Sequence, residues 1–183
     1  MIELLPFTED DIDRVLPWIT SREDLYLWTA WSFDFPLTRE HLLQHMKECA
    51  ERGDRIIYKA VLSEDGTVFG YIEHGAIDRR NNALRIGRVL IDPAQRGRGL
   101  GAAMMQAAVD LAFEQFKMHR VELGVFENNP RAVACYERVG FKREGVARDW
   151  FKADDGYWSM IVMSILEPEW AALRKPQESN ATS

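Results

Sequence analysis

The sequence predicts an α/β fold, a mixed and mostly antiparallel sheet of about seven strands flanked by about four helices. Three observations carry that expectation. Residues 56–91 read as three strands joined by two turns, the first of them holding Asp65-Gly66, a strong hairpin signal. A long amphipathic helix then separates the strand ending at Ile91 from another at 120–127. A crossover of that length makes the two strands parallel. Last, residues 141–149 and 157–166 form a terminal hairpin around Ala153-Asp154-Asp155-Gly156.

The elements follow in order. Residues 2–5 read as a short first strand. Thr8 and Asp11, three apart, mark a helix start, and Ile12, Val15, Leu16 and Ile19 continue at helical spacing. Residues 20–37 are the least regular stretch, rich in aromatics and carrying Asp24 and Asp34. Two readings stay open there. One is a hydrophobic loop closing over the core. The other is a loop that grips a substrate, with Trp28, Trp31 and Phe33 supplying shape and Asp34 attracting a cation. Thr38 caps a helix that runs to Cys49. His41, His45 and Cys49 share one stripe of it, but no acid or cysteine motif completes a ligand set, so no metal is expected.

Strands at 56–62, 67–74 and 83–91 follow, and adjacent Glu73 and His74 point to opposite faces of the middle one. From Gly99 to about Lys117 a helix presents Leu100, Ala103, Met104, Ala107, Ala108 and Leu111 along one stripe. A short helix spans 128–140, capped by Asn128 or Asn129, with Pro130 in its first turn and Gly140 at its end. Residues 1–167 make one domain, with no repeat and no linker. The tail 168–183 is expected to be partly disordered.

Composition narrows the function. The 183 residues suffice for one substantial core. A net charge of −6 calls for no nucleic-acid surface. No apolar run is long enough for a membrane span, and no signal peptide stands at the N-terminus. Two cysteines, Cys49 and Cys135, require no disulfide, which makes the cytoplasm the expected location.

The most informative stretch is Val89-Leu-Ile-Asp-Pro-Ala-Gln-Arg-Gly-Arg-Gly-Leu-Gly101. A strand, a glycine-rich turn and a helix N-terminus together make a phosphate cradle. Glycine lets the backbone approach the ligand, and the free N–H groups and dipole of the first helical turn attract an anion. Arg96 and Arg98 add charge and forked donors. A Walker loop would need Gly-Lys-Ser/Thr, whereas Gly101 precedes Ala-Ala. A dinucleotide fingerprint is formally met by Gly97, Gly99 and Ala102, but five residues separate it from the strand. A third pattern, Arg-x-x-Gly-x-Gly, is met by Arg96, Gly99 and Gly101.

That third pattern resembles the pyrophosphate loop of the GNAT (Gcn5-related N-acetyltransferase) family. A second stretch, Asn129-x-x-Ala132-x-x-x-Tyr136 followed by Gly140-Phe141, is similar to that family's second signature. Helical spacing puts Asn129, Ala132 and Tyr136 on one face. Gly140-Phe-Lys-Arg-Glu-Gly145 and the hairpin with Trp150 and Trp158 also resemble the branch with ribosomal-protein N-terminal and polyamine acetyltransferases.

The resemblance implies a sheet splayed between 85–91 and 120–127, with acetyl-CoA as cosubstrate in the gap. It assigns Leu90 and Ile91 to the pantetheine, and Arg96, Gly97, Arg98, Gly99, Leu100 and Gly101 to the pyrophosphate. Asn129 then contacts the pantetheine arm and Tyr136 lies beside the sulfur. The implied reaction is direct acetyl transfer to a primary amine, on a small molecule or a peptide N-terminus, with Tyr136 protonating the leaving thiolate. Glu73 is the candidate base, with Glu122 behind it and His74 and His119 weaker. Many family members carry a glutamate where this chain reads Arg85-Ile-Gly-Arg88, so a water relay is an alternative base. Trp28, Trp31 and Asp34 are the candidate acceptor contacts. Cys135 is read as core, because no histidine stands ready to activate it. A homodimer is compatible with the family. Two rival functions remain: a non-catalytic acyl-CoA sensor, and a dinucleotide-dependent oxidoreductase.

Overall fold

The computed structural model describes residues 1–174. One seven-stranded sheet runs through it in the order β1 (Ile2–Pro6), β2 (Ile56–Leu62), β3 (Val68–Asp78), β4 (Ala83–Ile91), β5 (Arg120–Phe126), β7 (Gly156–Leu166), β6 (Lys142–Ala153). All neighbours are antiparallel except β4 and β5, which are parallel as the crossover length requires. The sheet is open and mixed, in agreement with the sequence-based expectation.

The pairing of β4 with β5 is short. It joins Ala83 to Arg120, Leu84 to Val121 and Arg85 to Glu122, then stops. Beyond Arg85 the strands diverge and leave a V-shaped gap. A local distortion accompanies the divergence. The β3–β4 register shifts between Tyr71 and Glu73, and opposite this Arg88 takes a left-handed φ of 47°. A non-glycine residue held there stores strain on the order of 1 kcal/mol, which the surrounding contacts must hold in place.

Helices cover both faces. On one, α4 (Leu100–Glu114) and α5 (Pro130–Val139) pack on Phe69, Ile72, Leu84, Ile86, Val121, Leu123 and Met163. The alanines of α4 let it lie close, with Ala108 and Ala112 fully buried. On the other, α1 (Ile12–Val15), α2 (Arg22–Thr29) and α3 (Arg39–Arg52) close over Val61, Tyr71 and Leu90. No described helix is long and apolar enough to cross a membrane.

Two expectations change. The irregular stretch at 20–37 contains a helix, α2, because Ser21 accepts from Asp24 N while the Asp24 carboxylate accepts from Ser21 N, a reciprocal cap. The tail expected from residue 168 begins with a helix instead, α6 (Glu167–Arg174), tied down by Trp170 Nε1 donating to Asp110 and by Arg174 pairing with the same carboxylate. The disorder expected for 175–183 lies outside the described residues.

Candidate active site

A cavity of about 620 Å³ lies beside the end of β4 that β5 does not pair, between the glycine-rich turn, α5 and α2. Its floor is Val89, Leu90 and Ile91. Leu90 and Ile91 pair with β3, Val89 sits at the register shift, and none of the three pairs with β5, so backbone groups on that side have no ladder partner. An extended chain of amides bound there would be held as another strand is.

One end of the cavity is the glycine-rich turn, contributing Arg96, Gly97, Gly99, Leu100 and Gly101. Gly97 and Gly99 have φ of 79° and 77°, a conformation that disfavours a side chain. Gly99 is the N-cap of α4 and has no side chain to cap with, so the first-turn N–H groups remain for a ligand. The Asp92 carboxylate accepts from Ala94 N and fixes the turn. Arg96 is exposed and anchored by Nε donating to Ile91 O. Arg98 departs from the sequence expectation. It turns to the Gln95 amide oxygen and does not line the cavity.

The opposite wall is α5. Asn129 caps it, its Oδ1 accepting from Ala132 N at 3.2 Å, which leaves the amide NH2 for the cavity. Tyr136 follows two turns later, as its spacing predicts, and lines the cavity while 8% exposed. Burial, with Cys135 beside it, pushes the tyrosine hydroxyl well above its ordinary pKa. The group stays protonated at neutral pH, so it is a donor and not a base. Cys135, read from sequence as core, is half-buried and lines the cavity. Burial pushes its thiol up, so it is protonated and poorly nucleophilic. Arg131 and Arg138 also line the cavity and were not expected to. They stand seven apart on α5, a spacing that marks one face and was legible.

The third wall is α2, through Asp24, Leu27 and Trp28. Of the candidate acceptor contacts, only Trp28 reaches the cavity. It is 7% exposed, packs edge-on against Tyr71 and leaves its buried Nε1 without a partner among the described residues. Trp31 lies outside, 64% exposed and 4.6 Å from the Trp150 ring. Asp34 is exposed and does not line the cavity.

Glu73 is not placed as a base. It is fully buried on β3 and does not line the cavity. Its Oε1 accepts from Tyr71 Oη at 2.5 Å and His45 Nε2 at 2.8 Å; its Oε2 accepts from Arg55 at 2.6 Å and Arg88 at 2.7 Å. Burial alone would raise its pKa, but the His45 bond and the Arg88 and Arg55 charges outweigh it and hold the carboxyl at about 2. Its four partners come from α3, the turn before β2, β3 itself and β4, a convergence that no local pattern announces. His45, one of the three residues on the metal-like stripe, is thereby engaged with Glu73, while His41 Nδ1 accepts from Thr38 N. Glu122 is held by Arg120 at 3.0 Å.

Comparison with known proteins agrees with this architecture. Residues 22–141 match the acetyltransferase (GNAT) family model. A spermine/spermidine N(1)-acetyltransferase of Bacillus subtilis is 33% identical over 109 residues, covering 56% of this chain and 68% of that protein. An aminoglycoside N(6')-acetyltransferase type 1 of Klebsiella pneumoniae is 25% identical over 152 residues, 79% of this chain and 75% of its own. The crystal structure of a Vibrio cholerae spermidine N-acetyltransferase in complex with CoA and spermine superposes with a TM-score of 0.81 at 19% identity, over 93% of this chain and 98% of that one. The chain belongs to the GNAT acetyltransferase family.

Proposed function

We propose that this protein transfers acetyl from acetyl-CoA directly to the primary amine of a small molecule, with Tyr136 as the acid. One observation carries the reading: a single cavity joins the phosphate-binding turn at Arg96–Gly101 to the protonated hydroxyl of Tyr136, along unpaired strand backbone. That is the layout a long acyl nucleotide requires, with pyrophosphate at one end and thioester at the other.

The steps follow from the chemistry. The pyrophosphate is held by the α4 N-terminus and Arg96, and the pantetheine amides pair with Val89–Ile91. The neutral amine attacks the thioester carbonyl, the C–S bond breaks, and the thiolate takes the Tyr136 proton. A free thiol of pKa ~8.5 is a moderate leaving group, and a donor at the sulfur lowers its departure barrier. Water takes the proton the amine loses and returns one to Tyr136, so the step balances. A carboxylate held at about 2 is far too weak a base for an ammonium, so Glu73 acts on position alone, fixing Arg55 and Arg88. Cys135, a protonated thiol, forms no acyl intermediate. Relatives named for spermine, spermidine and aminoglycosides support a small amine acceptor.

The test is turnover. Purified protein with acetyl-CoA and an amine panel should release free CoA thiol in proportion to acetylated amine. Binding of acetyl-CoA without thiol release for any amine would mark a sensor, and protection by NAD(P) but not CoA would mark an oxidoreductase.

A further inference from the structure

Three arginines, Arg55, Arg85 and Arg88, lie on one face of the sheet around the place where the gap begins. Arg85 is the last residue of β4 paired with β5, so it stands at the vertex of the V. Across the sheet it faces Gly75 on β3. Glycines make room for guanidinium groups on both sides. A Cβ on Gly124 of β5 would lie 2.5 Å from Arg85 Nη2, and one on Gly75 would lie 2.5 Å from Arg55 Nη1. Arg88 sits on the bulge between them and the cavity, over the Phe33 ring and bonded to Ser32.

The charges on this floor do not cancel. Glu73 serves Arg55 and Arg88 together. Arg85 has no ion-pair partner among the described residues. Its hydrogen-bond partner there is the Met160 thioether at 3.9 Å, a weak acceptor. Glu122, its cross-strand neighbour, is drawn off by Arg120, which also holds Glu144 at 2.6 Å. A half-buried guanidinium with five donors and one sulfur is matched to an oxyanion, and its fork fits a carboxylate.

Position says whose carboxylate it is. The cavity runs from the phosphate turn back along Ile91, Leu90 and Val89 and ends there; Arg85 does not line it but stands farther along β4, on the side toward which a cofactor lying in the cavity points its acyl end. The acceptor must reach that end. We infer that the acceptor is an amine of the amino-acid class, whose carboxylate is held by the Arg85 guanidinium at the β4–β5 vertex while its amine meets the thioester. The inference rests on the N-acetyltransferase reading above. Arg85 is a specificity-determining residue and takes no part in bond making. A polycation would meet like charge on the same floor.

The probes are matched pairs: ω-amino acids of two to five carbons, each beside the n-alkylamine of equal length, with 1,4-diaminobutane as the cationic counterpart. At least one amino acid should exceed its carboxylate-free twin at least tenfold in kcat/KM, and exceed the diamine. Arg85→Gln should bring that ratio close to one, mainly through KM. Arg85→Lys should keep part of it, and Arg85→Glu should invert it in favour of the diamine. A purely structural arginine cannot produce that inversion. Calorimetric binding of acetyl-CoA reports that each variant is folded. Turnover of amines with no carboxylate advantage at any length, or an advantage untouched by Arg85→Gln and Arg85→Glu, overturns this inference alone. Acetyl-CoA binding with no amine turned over overturns the transferase reading and this inference with it.

Discussion

Two buried residues, Tyr136 and Glu73, do opposite things with their protons. Tyr136 keeps its proton because burial disfavours the phenolate, so it has one to give. Glu73 has lost its proton and does not take one back, because two guanidiniums, an imidazole and a phenol stabilise the anion. The first predicts a chemical effect. Tyr136→Phe should lower kcat by about 10²-fold, within the usual worth of a positioned acid, while acetyl-CoA affinity by calorimetry stays within about twofold. The second predicts a structural effect. Glu73→Gln leaves the partly buried Arg55 and Arg88 without a counter-ion, which costs about 1–3 kcal/mol. Urea unfolding should show it as a lower midpoint. A variant as stable as the parent would mean that water, and not Glu73, neutralises those arginines.

At the scale of elements, the phosphate turn and β4 act as one device. Divergence of β4 from β5 frees strand backbone, and the turn that follows presents the α4 N-terminus to the same space. The two arginines of the turn should therefore differ. Arg96→Ala should weaken acetyl-CoA binding about tenfold, or ~1.4 kcal/mol, with the loss shrinking at high salt. Arg98→Ala, whose side chain is turned to Gln95, should stay within about twofold of the parent. Comparable losses at both would mean that the turn rearranges around its ligand. The turn was legible in the sequence because its glycines and arginines are contiguous, and Asn129 and Tyr136 were legible because helical spacing is local. The α2 helix was hidden by its aromatics, although Ser21 and Asp24 spell its cap. The helix at the start of the tail was hidden by its brevity and by Pro168, yet proline suits the first turn of a helix, where α6 places it. The Glu73 cluster was beyond reach, because its members come from four elements whose register only the folded sheet sets.

At the scale of the whole molecule, the sheet divides two cores, and the consecutive residues Glu73 and His74 carry one titratable group into each. Both make stability fall with acid, in different intervals. His74 is fully buried, and burial pulls its pKa down to about 4 against the opposing bond to Ala108 O at 3.0 Å. In the unfolded chain it titrates near ~6.5. Between those values the unfolded chain takes up a proton that the folded protein refuses, so stability drops as pH falls from about 6.5 to about 4. Glu73 then acts lower down. Its folded value of about 2 lies below the ~4.3 of a free glutamate, so its contribution is complete above ~4.3 and disappears as pH falls to about 2. Each unit of difference is worth ~1.4 kcal/mol, and the two intervals nearly adjoin, so the acid side is one long slope, steeper at its lower end, where other paired carboxylates such as Asp11 and Glu144 join Glu73. His74→Gln separates the two intervals. It should flatten the stability curve between pH 6.5 and 4 and leave the steeper fall below pH 4 in place, as read from urea midpoints across a pH series. If the parent protein is already flat in the upper interval, His74 accepts its proton without unfolding, and the core around Tyr58, Phe116 and α4 must open to water to let it.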